Sequence, residues 1–334
     1  MTRVLAVRLD NEGDVLLAGP AIRALAAGAE HLTLLCGPRG RQAAAMLPGV
    51  DDALVWRAPW IDPEPDPVDR AAVEALVQRV AAVRADRAVI FGSFHQSPLP
   101  TALVLRMAGV PWIAATSVDY PGSLLDLRHR IDDDVHEVER ALDLVETAGF
   151  AVPPGDEGQL RVTGVAPSPI EQPYVVVHPG ASVPARGWPP ERHAELVDAL
   201  VATGRRVVVT GAPSERALTA QVAGPAAVDL GGLTDFPGLA GVLAGAEVVV
   251  VGNTGPAHLA AAVGTPVVSL FAPTVPAVRW RPWRVPHELL FVDVPCAGCR
   301  ARRCPVPGHP CLGGVEVADV LSAAERVART PVLL

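Results

Sequence analysis

Residues 247–273 read EVVVVGNTGPAHLAAAVGTPVVSLFAP. EVVVVGN (247–253) is a continuous apolar run, as expected of a parallel strand buried on both faces. A glycine turn closes it, a helix opens at Pro256 and runs to 263, and PVVSLFAP (266–273) is a second apolar strand. Strand, turn, helix and strand make the crossover unit of a parallel sheet. His258 is the sole ionisable side chain between 248 and 278. Gly252, Asn253, Gly255, Pro256, Gly264 and Pro266 nevertheless interrupt the stretch, which fits buried strands better than a membrane span.

Outward from there the pattern repeats. Upstream stand YVVVHPG (174–180), a helix over 190–203, RRVVVTG (205–211) and helices over 214–223 and 236–245. Before them, 151–173 (AVPPGDEGQLRVTGVAPSPIEQP) is rich in Pro and Gly and marks a domain boundary. The first half alternates in the same way. Strands are predicted at 4–9, 31–37, 53–56 and 87–92, helices at 14–28, near 40–47, and at 68–84, 101–109 and 135–148, with a proline-rich loop at 59–67. The expectation is an α/β fold of two doubly wound domains, 1–165 and 166–334. Ligands of such sheets gather at the carboxyl ends of the strands, so the loops after 9, 92, 178, 210, 252 and 271 are the places to look.

Composition narrows the function. A chain of 334 residues fits about two domains and can bury a core without staples. All 28 basic residues are arginine, which excludes mechanisms needing a lysine, such as a Schiff base or a P-loop. A net charge of −8 argues against a nucleic-acid partner. No G-x-G-x-x-G follows the first strand, which counts against a dinucleotide dehydrogenase. The opening MTRVLAVRLDNEGDV does not read as a signal peptide, so a cytoplasmic protein is expected.

Five motifs carry chemistry. In Asp10-Asn-Glu12-Gly13-Asp14-Val15, between the first strand and helix, glycine permits close backbone approach to a ligand, and a carboxylate here is a candidate general base. An ordinary helix cap explains Asp14 as well, and spacing alone does not choose among Asp10, Glu12 and Asp14. The stretch from His178 to Pro190 brings Gly180, the Ser182 hydroxyl and the Arg186 fork to one strand end, a set suited to phosphate oxygens. Asn253-Thr-Gly-Pro-Ala-His258 opens a helix whose dipole and Thr254, Gly255 and Ala257 amides suit a pyrophosphate, with His258 in the first turn. Glu215 stands at a helix start, within reach of a ribose or simply in favourable charge. Cys296, Cys299, Cys304 and Cys311, with His309, are spaced as a candidate metal cluster, or as thiols of a proline-rich loop; Cys36 reads as core. The acidic triplet 132–134 needs no metal, since it precedes a helix.

Together these stretches resemble glycosyltransferase family 9, the ADP-heptose:lipopolysaccharide heptosyltransferases. VLAVRLDNEGDVLLAGPAIRAL, the His136-Glu-Val-Glu139-Arg140 helix, HPGASVPARGWPPERHAEL, GNTGPAHLAAAVGTPVVSLFAPT and the late cysteine run carry the likeness. It implies a GT-B architecture, two Rossmann-like domains facing a central cleft, with the acceptor bound by residues 1–165 and the nucleotide-sugar donor by 166–334. It implies inverting transfer without a metal or other cofactor, and Asp14 as the base. Arg8 and Gly13 would lie on the acceptor side. Ser182, Arg186, Asn253, Thr254, Gly255 and His258 would face the diphosphate and sugar, Glu215 the ribose, and Leu233 with Thr234 the base. Asn253 stands where many members carry Asp, and Asn11-Glu12 replaces a smaller pair. The acceptor would be a glycan, glycolipid or small molecule, and a lipid acceptor would bring peripheral membrane contact. Two rival readings are a nucleotide-sugar 2-epimerase and a catalytically silent nucleotide-sugar binding protein.

Overall fold

The computed structural model describes residues 2–328 apart from 94 and 133, so Asp133 of the acidic triplet lies outside the described residues. Short runs of Val, Leu, Ile and Ala form parallel strands, because only an apolar strand can be covered on both faces. β1 (Arg3–Arg8), β2 (His31–Cys36), β3 (Asp52–Val55), β4 (Arg87–Ile90), β5 (Trp112–Thr116) and β6 (Leu127–His129) make one sheet, in the order β3-β2-β1-β4-β5-β6. β7 (Val175–His178), β8 (Val207–Val209), β9 (Val228–Asp229), β10 (Val248–Gly252), β11 (Val267–Leu270) and β12 (His287–Leu290) make a second, in the order β12-β11-β10-β7-β8-β9. Every pairing is parallel. Counted from the first strand of each half, both sheets share one order, 3-2-1-4-5-6, that of the Rossmann fold. The chain divides into two compact units, Met1–Thr163 and Gly164–Leu334.

Each unit has its own core. Leu5 and Val7 of β1, with Ile90 and Ile113, pack under Leu76, Val80 and Leu105 in the first. Val175, Val177, Val248 and Val250 pack against Leu196, Leu200 and Val320 in the second. Each such fully buried side chain contributes about 1.5–3 kcal/mol.

Several elements differ from the sequence reading. The helix expected over 14–28 is two, Glu12–Leu17 and Gly19–Ala27. Pro20 lacks the N–H that would bond back to the Leu16 carbonyl, so one helix cannot run through. The helix expected from 135 begins at Glu137, because His136 caps it. β5, β6, β9, β12 and the closing helix Val317–Ala328 were not anticipated.

Candidate functional site

In each sheet the strand order reverses beside the first strand, between β1 and β4 and between β7 and β10. Loops leaving the carboxyl ends there diverge and leave a crevice, the usual ligand position in such sheets. Arg8, Gly13 and Asp14 fall at the first of these places and Arg186, Asn253, Thr254, Gly255 and His258 at the second, whereas Glu215, Leu233, Thr234 and the late cysteines lie after other strands.

In the first unit the centre is Arg8, the last residue of β1, only 4% exposed. Its Nη2 donates to Asp14 Oδ1 and to Ser93 Oγ, each at 3.0 Å. Its Nε lies 2.9 Å from Asp10 Oδ2, and its Nη1 lies 3.8 Å from Glu137 Oε2. One cation thus faces three carboxylates. Burial opposes the Arg8 charge, and the carboxylates of Asp10, Asp14 and Glu137 more than offset it, so its pKa is raised. Burial pushes Asp10 up to about 6, with Arg8 pulling it down and Asp14 pushing it further up. Glu12 is pushed up to about 7 by burial alone. Glu137 is also raised, chiefly by burial, although Arg8 and Arg140 oppose this.

Asp14 is the most open of the three carboxylates on Arg8, with its side chain one-fifth exposed. It sits inside the first turn of the helix, beside the buried Gly13, and does not cap it. Asn11 holds the cap position, with an extended backbone and no side-chain bond. A carboxylate held by a buried guanidinium yet partly open can accept a proton from a bound hydroxyl. The turn owes its shape to Gly37, at the end of β2. A Cβ there would fall 2.3 Å from the Leu9 carbonyl oxygen, so only glycine lets the two strand ends close.

Sequence reasoning missed Ser93, Gln96 and Glu137, which arrive from 85 or more residues away in the chain. His136-Glu-Val-Glu139-Arg140 has a double purpose in the structure. The His136 Nδ1 accepts from the Val138 N–H at 3.1 Å, and Glu139 takes the His136 N–H at 3.1 Å, closing a capping box. Glu137 between them points to Arg8.

In the second unit, the loop after β7 and the turn after β10 meet. Arg186 lies in a tight turn, Pro184–Arg186, and a Cβ on Gly252 would fall 3.1 Å from its carbonyl oxygen. Gly252 therefore lets this turn rest on the strand end. Beside it the Asn253 side chain is 6% exposed. Among the described residues neither its Oδ1 nor its Nδ2 meets a hydrogen-bond partner. A buried amide left so costs about 1–3 kcal/mol.

The three amides offered to a pyrophosphate are not equally available. The Thr254 N–H donates to Gly252 O at 2.8 Å and the Ala257 N–H to Thr254 O at 3.1 Å, which leaves Gly255 with the helix terminus. His258 is buried at 5% exposure in that first turn. Glu215 folds over Gly180 and accepts the Ala212 N–H at 2.8 Å, so its carboxylate caps a short helix. Ser182 and Leu233 are exposed, and Thr234 is half-buried in the loop after β9. His178 bonds Thr210 Oγ1 through Nδ1 at 2.9 Å; burial lowers its pKa although Glu215 opposes this. His193 is pushed down to about 3 by burial and by His178.

The four late cysteines and His309 line one pocket that also includes Ala185 and Thr274. Cys296 and Cys299 are exposed and Cys311 is buried. Burial raises the Cys311 thiol, with Cys304 and Cys296 adding to it. Among the described residues no three His, Cys, Asp or Glu side chains converge as ligands of one ion. The loop instead braces its neighbours: the Arg302 carbonyl takes the Ala185 N–H at 3.0 Å. Cys36 is buried, as the sequence suggested. No described helix is long and apolar enough to cross a membrane.

Comparison with known proteins adds three findings. The profile of glycosyltransferase family 9 (heptosyltransferase) matches residues 73–309. Lipopolysaccharide heptosyltransferase 3 of Escherichia coli is 32% identical over 196 residues, 55% of each chain. The match thus spans about half the length of that curated relative. Among solved structures, the glycosyl transferase family 9 protein of Veillonella parvula DSM 2008 superposes with a TM-score of 0.77 at 17% identity, over 98% of this chain and 97% of that one. The E. coli ADP-heptose lps heptosyltransferase II gives 0.73 at 21% identity, over 98% of both. The fold is that of these proteins, the GT-B class expected from the sequence.

Proposed function

Because the chain belongs to glycosyltransferase family 9, we propose that it moves a sugar from a nucleoside-diphosphate donor to an acceptor hydroxyl, with inversion and without a metal ion. Heptose carried on ADP is the donor this reading favours, since the E. coli relative of the same fold is named for ADP-heptose. The acceptor is a hydroxyl of a glycan, a glycolipid or a small metabolite. The observation that carries the reading is Asp14, partly open and hydrogen-bonded to the buried Arg8 at 3.0 Å.

Asp14 takes the acceptor proton as that oxygen attacks the anomeric carbon. The bond from that carbon to the donor diphosphate breaks as the new one forms, and the nucleoside diphosphate departs with the electron pair. Its growing charge is met by Arg186, the Gly255 N–H and the N-terminus of the helix Gly255–Ala262. Asn253 supplies a donor and an acceptor to the sugar hydroxyls without adding a charge. Arg8 keeps Asp14 oriented.

The test is transfer from a panel of nucleotide sugars by the wild-type chain, Asp14→Asn and Arg186→Ala. Transfer from ADP-heptose, with a loss on the order of a thousandfold in Asp14→Asn, is expected. Full activity in both variants would sink the reading.

A further inference from the structure

We propose that Asp10 is a positioning residue for the Arg8–Asp14 pair: it grips the guanidinium by its Nε edge, so that the Nη2 edge, with only a share of the cation's charge, faces Asp14. This rests on the reading of Asp14 as the base.

The grip is a hydrogen-bonded chain from Arg8 through Ser93 and Gln96 to Asp10, closed into a ring by the Asp10–Arg8 ion pair, whose Nε and Oδ2 make no hydrogen bond. Arg8 Nη2 donates to Ser93 Oγ at 3.0 Å. The Ser93 N–H donates to Gln96 Oε1 at 3.0 Å, and the Gln96 N–H returns to the Ser93 carbonyl at 2.9 Å. Gln96 Nε2 donates to Asp10 Oδ1, and Asp10 Oδ2 lies 2.9 Å from Arg8 Nε. Asp14 stands outside this ring and receives what the ring leaves exposed of Arg8. Arg8 and Asp10 are only 4% and 8% exposed, so their contact lies in a weakly screened environment.

The ring also divides charge. The groups facing Arg8 are Asp10 on the turn, Asp14 in the first helix, the neutral Ser93 and Gln96 after β4, and Glu137 on the helix Glu137–Thr147. Glu12 stands in the first helix and Arg140 acts on Glu137 from its own helix. Neutralising Asp10 removes an anion near Asp14 and leaves more of the Arg8 field directed at it. Both changes make proton transfer to Asp14 less favourable, and both shift ionisation of the site toward lower pH. The burial that raises Asp10 to about 6 still leaves it charged at neutral pH.

The experiment is kcat and kcat/KM against pH for wild type, Asp10→Asn and Gln96→Leu, with the Arg8 Nε–H followed by NMR in arginine-labelled protein. Asp10→Asn is expected to keep donor KM, lower kcat about tenfold and move the acid limb of kcat/KM down by about one pH unit. Gln96→Leu breaks the latch but removes no charge, so it is expected to lower kcat several-fold and leave the limb in place. In both variants Arg8 Nε–H exchange is expected to quicken at least about tenfold. Wild-type kcat and an unmoved limb in Asp10→Asn overturn the proposal. Should Asp10→Asn fail to fold, Gln96→Leu decides: unchanged kcat with unchanged Arg8 exchange overturns it. Asp14→Asn, run in parallel, separates the two readings. Full activity there defeats the base assignment, and Arg8 exchange alone then judges the clamp.

Discussion

The turn after β1 and the turn after β10 hold the same place in two sheets of the same strand order, and they are built in opposite ways. The first is crowded with charge and supplies its own counter-ions, three carboxylates to one guanidinium. The second is small and neutral, and its buried Asn253 amide meets no partner among the described residues. The first also leaves buried atoms without a hydrogen bond among the described residues, Arg8 Nε, Asp10 Oδ2 and both Glu137 oxygens, but each stands beside an opposite charge. The Asn253 amide has no opposite charge beside it, so the two turns differ in charge rather than in the number of unpaired buried atoms.

The contrast can be broken in several ways, the most drastic through Arg8. Arg8→Met leaves three carboxylates without their cation and is expected to cost about 3–5 kcal/mol, or roughly 10 °C in melting temperature. A melting curve within 2 °C of wild type (about 0.5 kcal/mol) would show that the cluster does not depend on its hub. Arg186→Ala should barely change stability but lower kcat/KM about a hundredfold, equivalent to ~3 kcal/mol, and weaken nucleoside-diphosphate binding by calorimetry. Equal binding in both proteins would remove the second unit's claim on the diphosphate.

Acidification sharpens the comparison further. Asp10 and Glu12 (to about 6 and about 7) and Glu137 are raised, burial being the first cause in each. The folded first unit therefore binds protons more tightly than the unfolded chain, and its stability falls as pH rises from about 4 to 7. His178 and His193 are lowered, again first by burial. The folded second unit binds protons less tightly, and its stability falls as pH drops through 6.5. Between pH 7 and pH 5 the first unit should gain, and the second lose, on the order of 3 kcal/mol. Hydrogen exchange corrected for intrinsic rates reads both; slopes of one sign in both units would contradict the assignment. The smallest effect is at Asn253. Asn253→Leu removes a buried unpaired amide, so it should stabilise the protein by about 1 kcal/mol while weakening the donor complex. A loss of stability would mean the amide is satisfied after all.

Much of the frame was legible because it is local. β1, β7 and β10 are short apolar runs, each followed within a few residues by a glycine, and β11 is broken only by Ser269 before Pro273. The six strand-end loops legible in the sequence include those that carry Asp10, Ser93, Arg186 and Asn253. What escaped is either short or distant. β9 is two residues and β12 carries His287 and Glu288, so neither shows an apolar run. Val317–Ala328 does show apolar residues at helical spacing, a signal that was there to be read. Spacing put Asp10 and Asp14 near each other but could not show which one stays open. That depends on Gln96 and Glu137, which the chain delivers from beyond β4 and β6.

The ring of Arg8, Asp10, Gln96 and Ser93 has a consequence for how this enzyme can evolve. Each member is the partner of two others, so a change at one is judged by the residues that remain at the rest. Serine at position 10, for example, is tolerable only once Gln96 has lost its need for an acceptor and Arg8 has lost a charge to balance. Such positions are epistatic: they should vary together among relatives or not at all. A lineage that rebuilds this turn therefore has to change several of its members together, which makes Asp10 a record of descent as much as a part of the cluster.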